Sequence, residues 1–558
     1  MKKKGALIVI IVLVVAVVFG GLYLTRNLGK SKKAVTTEDA MNKLTKLVDR
    51  IEPIEGTPVK GTLEYTDDDS TFQELPELTD DSIAVGESTA LFAEIFSSSE
   101  KTGSGTDGYL REMVSAFNKS GAEVGGQPVS IRLRTVASGQ QVDYVASGKY
   151  VPDAVSPSAD FSVKMLNTKG VATENISDSL VTNYAGLVVS KSTYSTLVEE
   201  YGEASAQTLA KATAEGKIIT GYTNPFTSAT GLNFLITLLD SYSSGNISSE
   251  KAVQGFTEFQ QNVPFVAMTT GQMRKAAERN TFGAFVLEYQ TFVNDQTLTK
   301  NYRFIPFGYR HNNPLAMISS TTADKQEILR QFVAYCDANG AELAKKDGFN
   351  LMPDGYTEMR TDYSGEELIA AQALYKENKD SAPIVCVFVA DISGSMVGEP
   401  INTLKSSLVN SMQYINPENY IGLVTYNDSV TVNLPIEKFD FTQQSLFKGT
   451  VESLSTNGAT ATFDAVCVAM KLIEEKLAEV PEAKPMLFVL SDGETNRGND
   501  LSDITDIVQG LQIPIYTIGY NANIDALQKI SDINEGICIN ASTDNITYQL
   551  KQLFNANM

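Results

Sequence analysis

The feature that most constrains the fold is the run Ile384-Val385-Cys386-Val387-Phe388-Val389-Ala390, which stops abruptly at Asp391-Ile392-Ser393-Gly394-Ser395. A continuous, β-branched apolar run is a strand buried on both faces, as in a parallel sheet, and such sheets carry their chemistry where the chain leaves the strand's carboxyl end. Asp391, Ser393 and Ser395 sit at that end. One carboxylate and two hydroxyls at alternate positions are hard oxygen ligands, suited to Mg²⁺, Mn²⁺ or Ca²⁺ rather than to zinc. Taken alone, the same loop also fits an ordinary helix N-cap, for which Ser and Asp are preferred.

Two later segments give the loop its context. Gly458-Ala459-Thr460-Ala461-Thr462-Phe463-Asp464-Ala465 opens a helical pattern, and the buried strand Met486-Leu487-Phe488-Val489-Leu490 ends in Ser491-Asp492-Gly493-Glu494. Together the three segments resemble the von Willebrand factor A domain and its metal-ion-dependent adhesion site. The resemblance implies that Asp391, Ser393, Ser395, Thr460 and Asp492 hold a divalent cation, Mg²⁺ or else Mn²⁺ or Ca²⁺. Three neutral hydroxyls and two carboxylates leave such an ion electrophilic, so a sixth position stays open to an outside oxygen. In that family the oxygen often comes from an acidic side chain of a protein partner.

The surrounding sequence completes a domain over residues 382–558. Helical spacing runs from Ile401 to Ile415 and from Val466 to Leu477, with a further helix from Asn523 to Ile530. Strands are expected at Tyr420 to Tyr426 and Ile513 to Gly519. Alternating strands and helices predict a doubly wound, Rossmann-like parallel sheet.

A chain of 558 residues with 18 prolines is too long for one core and should divide into domains. Its net charge of −22 argues against nucleic acid as a partner. At the other end, Lys2, Lys3 and Lys4 precede an uncharged apolar stretch from Ala6 to Leu24. That stretch is close to the ~20 residues a membrane-crossing helix needs and longer than a usual signal h-region. Residues 1–28 therefore read as a signal anchor forming a transmembrane helix. Basic residues flank both of its sides, so charge does not orient it. Residues 29–83 read as a juxtamembrane linker, with a short amphipathic helix from Thr37 to about Ile51 and an acidic spacer around Asp67-Asp68-Asp69.

The middle region, residues 84–375, has its own strand and helix order. A strand from Leu91 to Phe96 ends in Ser97-Ser98-Ser99, a helix runs from Tyr109 to Asn118, and a strand from Val129 to Val136 follows. With Pro152-Asp153-Ala154-Val155-Ser156-Pro157-Ser158, Thr223-Asn224-Pro225-Phe226-Thr227-Ser228-Ala229-Thr230-Gly231 and the closing Lys346-Asp347-Gly348-Phe349-Asn350, this order resembles the extracellular solute-binding proteins of ABC importers. The resemblance implies a two-lobed, type 2 periplasmic-binding-protein-like domain that closes on a small-molecule solute by a hinge. Strand ends and helix N-termini make Ser98, Ser99, Ser156, Ser228, Thr230, Glu288 and Tyr289 the candidate cleft contacts. Helix capping explains each Ser or Thr equally well when taken singly.

Gly103-Ser104-Gly105-Thr106-Asp107-Gly108 matches a dinucleotide fingerprint in letters, but three residues separate it from the strand, whereas the fingerprint's first glycine makes the turn itself. It reads instead as a flexible loop beside the cleft. Catalysis is not expected. The single histidine, His311, lies in a polar segment and reads as a surface turn residue, and Ser393 replaces the second Asp of an aspartyl-phosphate motif. Cys336, Cys386, Cys467 and Cys538 lie in apolar patterns without paired spacing and read as buried thiols.

The expectation is a bacterial cell-surface protein, anchored by a single membrane span, with both folded domains outside the cytoplasm. Its expected function is cation-dependent adhesion to a protein or surface ligand. Two other functions fit the same residues: solute capture or sensing linked to a transporter or membrane complex, and assembly of another enzyme.

Overall fold

The apolar run at 384–390 forms the centre of a mostly parallel sheet. Its strand order is Ile54–Glu55, Val430–Lys438, Tyr420–Tyr426, Ile384–Asp391, Lys484–Ser491, Ile515–Gly519 and Cys538–Asn540. Every residue of Ile384–Asp391 is buried, as the unbroken hydrophobicity requires for a strand covered on both faces. Only Val430–Lys438 runs antiparallel to its inner neighbour, a departure from the all-parallel expectation. Helices Glu399–Ser411, Phe441–Ser453, Thr462–Glu479 and Leu501–Leu511 complete the α/β unit.

The computed structural model describes residues 35–63, 80–243, 245–263, 265–267, 282–359, 362–379, 382–493, 495–520, 525–534 and 538–540, with a few isolated positions besides. The expected membrane anchor at 1–28 and the acidic triplet Asp67-Asp68-Asp69 lie outside the described residues. Among the described residues no helix is long and apolar enough to cross a membrane.

The chain divides into two compact units, and the division corrects the expected linker. Met1–Asp68 clusters with Ala382–Ala556, and Asp69–Ser381 forms the other unit. Helix Thr37–Ile51 starts at a Thr36 cap that accepts from the Asp39 amide, has Glu38 and Asp39 in its first turn, and ends at Glu52 in the left-handed region. Its Ala40, Leu44 and Val48, spaced by four, are buried in the same core as Ile504, Ile507 and Val508. Residues 54–55 then pair in parallel with Thr431 and Val432 at the sheet edge. Beyond them the Gly61 amide donates to Ser445 O at 2.8 Å. This stretch, read in sequence as part of a juxtamembrane linker, is a strap that packs on the C-terminal unit. The reading failed because an isolated amphipathic helix does not reveal which surface its apolar face covers.

The second unit contains two sheets. One has the order Ile83–Val85, Gln127–Thr135, Leu91–Ser97, Ala154–Ser156, Leu315–Ile318 and Thr173–Ser177. The other has the order Phe265–Ala267, Thr220–Thr223, Ala284–Glu288, Asn183–Ser190 and Tyr302–His311. The chain crosses between them twice, after Ser177 and after His311, so the second lobe is one continuous stretch inserted into the first, which resumes at Leu315–Ile318. Two such crossings make the two-lobed layout that a hinge requires. The glycine-rich decoy folds as a short helical turn, Gly105–Asp107, whose Thr106 carbonyl and Asp107 carboxylate accept from Gln290 of the other lobe.

Candidate metal centre

Three loops meet at the carboxyl ends of Ile384–Asp391 and Lys484–Ser491, and main-chain hydrogen bonds stitch them together. Gly394 N donates to Gly458 O at 2.9 Å and Asn457 N to Ile392 O at 2.8 Å, joining the first loop to the one that carries Thr460. Asn496, four residues beyond Asp492, accepts from Thr460 N at 2.9 Å and donates its own amide to Thr460 O at 3.1 Å. Gly458 has φ +77°, and a Cβ there would lie 2.1 Å from the Asp428 carboxylate, so the loop needs glycine on both counts.

Asp391 is fully buried and held from several sides. Its Oδ1 accepts from Ser393 N at 2.8 Å, and its Oδ2 accepts from the Ser491 hydroxyl at 2.6 Å and the Tyr426 hydroxyl at 3.2 Å. The Ser393 and Ser395 hydroxyls lie 3.0 Å apart, Ser393 buried and Ser395 exposed. Thr460 and Asp492 are buried. Burial pushes the Asp391 carboxyl above its ordinary value, the Ser393 and Ser491 hydrogen bonds pull it back, and the charge of Asp492 raises it again. A bound cation acts in the opposite sense and holds both carboxylates ionised.

The donor set fits a hard divalent cation. Asp492 Oδ1 is buried and finds no hydrogen-bond partner among the described residues. Leaving such an oxygen unpaired costs about 1–3 kcal/mol or more, which a cation at that point would offset. Among the described residues no group of three or more His, Cys, Asp or Glu side chains could hold a metal ion. This centre depends instead on three hydroxyls beside its two carboxylates. Ser395 is its exposed member.

All five residues expected at the site are thus placed on the three stitched loops. Tyr426, Ser491 and Asn496 were not anticipated. The first two end strands that neighbour Asp391 and could have been found by reading every strand terminus, whereas Asn496 carries no local signal.

In the two-lobed unit the cleft candidates separate. Ser98, Ser156, Thr230 and Glu288 are buried, Ser99 is exposed, and Ser228 and Tyr289 are half-buried. Ser228 accepts from Gly231 N at 3.3 Å, as a helix cap does. Tyr289 packs on Phe304, with ring centres 4.9 Å apart. Glu288 accepts from the Thr230 hydroxyl at 2.9 Å and lies 3.1 Å from His311 Nδ1. His311 is fully buried, which corrects its reading as a surface turn residue: it ends strand Tyr302–His311 and is enclosed where the chain crosses between lobes. Cys336, Cys386 and Cys467 are buried free thiols, and Cys538 is half-buried.

Residues 386–556 match the family model of the von Willebrand factor type A domain. A similar curated protein is inter-alpha-trypsin inhibitor heavy chain H1 of Sus scrofa, 25% identical over 165 residues that make up 28% of this chain and 18% of that protein. The chain thus spans under a fifth of that relative's length. Among solved structures, a von Willebrand factor type A protein from Catenulispora acidiphila aligns with 19% identity and a TM-score of 0.28, over 31% of this chain and 42% of that one. A periplasmic thiamin binding protein aligns with 11% identity and a TM-score of 0.40, over 52% of this chain and 96% of that one.

Proposed function

We propose that the von Willebrand factor type A domain at 386–556 gives this chain divalent-cation-dependent binding of a protein or surface ligand. The observation that carries this reading is the buried Asp492 Oδ1, without a hydrogen-bond partner among the described residues, in a donor set whose exposed member is Ser395. Asp391, Ser393, Ser395, Thr460 and Asp492 would hold the ion, whose contribution when bound is an electrophilic position for a partner's carboxylate oxygen. The chain's own residues prepare that position. Ser491 and Tyr426 fix Asp391, and Asn496 fixes the Thr460 loop.

The role proposed for the whole chain is adhesion at a cell surface, with the apolar stretch Ala6–Leu24 as a single membrane anchor and both folded units outside the cytoplasm. Binding rather than catalysis is the proposed activity.

Calorimetric titration of Mg²⁺ and Mn²⁺ into chelator-treated chain, beside an Asp391→Ala variant, tests the reading. Saturable binding by the wild type and none by the variant is the expected result. Equal binding by both, or by neither, would remove the metal from the mechanism.

A further inference from the structure

The two-lobed unit contains a lysine that its expected function does not use. Lys101 is 0% exposed, and a buried ammonium is tolerated only when it is paired and hydrogen-bonded. Its Nζ donates to Ser156 O at 3.0 Å, Pro157 O at 3.1 Å and Asn313 Oδ1 at 2.9 Å, which uses all three N–H groups. Glu100 Oε1 stands 3.7 Å away and is itself bonded by the hydroxyls of Ser98 and Ser158.

The position of this cage is informative. Ser156 is the carboxyl end of strand Ala154–Ser156, where ligands of open α/β sheets bind. Asn313 lies on the segment that returns from one lobe to the other, and its Nδ2 donates to His311 O at 3.1 Å. His311 in turn meets Glu288 of the second lobe. Ser98, Ser156, Thr230 and Glu288, four of the residues expected to contact a solute, belong to this one network. Burial lowers the Lys101 ammonium to about 8 against the opposing charges of Glu100 and Glu288.

We propose that the Ser156 and Pro157 carbonyls, Asn313 and Glu100 form a primary-ammonium site, and that Lys101 occupies it from within the chain, where a free alkylammonium solute would otherwise bind. The unit then carries its own ligand, and the two lobes are organised around a tethered cation.

The test is a thermal-unfolding comparison of the full chain and its Lys101→Ala variant, titrated with n-propylammonium, which matches the lysine atoms beyond Cβ that the variant lacks, and with 1-propanol as the neutral control. The variant should lose about 5 °C or more in the transition of residues 69–381. n-Propylammonium should restore this saturably, 1-propanol should not, and the wild type should not respond to either. A variant unaffected by the amine, or a wild type stabilised by it equally, would overturn the assignment. Should Lys101→Ala not fold, Lys101→Met nearly keeps the length and burial and removes the charge together with its three N–H donors. It should melt lower than wild type and ignore the amine, and a wild-type melting temperature for it would equally refute the proposal.

Discussion

Truncating Leu44 to Ala tests whether the N-terminal strap is part of the C-terminal unit. Leu44 is fully buried in a core shared with Ile504, Ile507, Val508 and Leu511. The helix also approaches so closely that a Cβ on Gly510 would lie 2.5 Å from the Ala40 Cβ. Leu→Ala at a site of this kind costs about 2–4 kcal/mol, the lost transfer energy plus that of the cavity left behind. For a unit of this size the loss corresponds to roughly 5–12 °C in melting temperature. The same helix offers an internal control in Lys43, whose Nζ lies 2.6 Å from Asp506 Oδ2. Both partners are about half exposed, so this pair is worth about 0.5 kcal/mol and Lys43→Ala should scarcely register. Scanning calorimetry of the full chain resolves the outcome. Leu44→Ala should lower the transition of the C-terminal unit and leave that of residues 69–381 in place. If Leu44→Ala and Lys43→Ala behave alike, or if only the other transition moves, the strap does not belong to this core.

Four further outcomes follow from particular residues. Gly449→Val should detach the second part of the strap, because a Cβ there would lie 2.3 Å from Gly61 N and 2.4 Å from the Lys60 carbonyl carbon; faster proteolysis within residues 53–63 would report it, and unchanged cleavage would count against the packing. Asp492→Asn should weaken Mg²⁺ binding at least about tenfold in calorimetry while leaving the far-UV circular dichroism intact. Saturating Mg²⁺, at about 100 times its dissociation constant, should stabilise the C-terminal unit by about 2.7 kcal/mol, reversibly on chelation, and should do nothing for Asp391→Ala. In the two-lobed unit, burial pushes Asp347 up to about 6, Lys346 opposes the rise, and Glu112 and Asp107 add to it. Both of its carboxylate oxygens lack hydrogen-bond partners among the described residues. A carboxyl raised on folding contributes stability that is fully present below its unfolded value near 3.8 and is lost as pH rises through about 6. The transition of residues 69–381 should therefore fall as pH rises from about 3.8 to about 7, by about 1–2 kcal/mol after solvent screening, and Asp347→Asn should flatten that fall.

The sequence by itself picked out the five residues of the candidate metal centre. Its donors lie in three short loops, each joined to a strand whose unbroken apolarity marks it as buried, so residue type and strand end together locate the site. The same local logic placed helix Thr37–Ile51 within its observed bounds, because a cap and a four-residue apolar spacing are carried by adjacent residues. Tertiary structure decided what that helix covers: Ala40 meets Gly510 across 470 positions of chain, and no local pattern encodes such a pairing. It likewise decided that His311, in a segment polar enough to suggest a turn, is enclosed at a crossing between lobes. Lys101 shows the limit most plainly. Lysine in sequence implies solvent, and only the convergence of two carbonyls from residues 156 and 157, an amide from residue 313 and a neighbouring carboxylate makes its burial affordable.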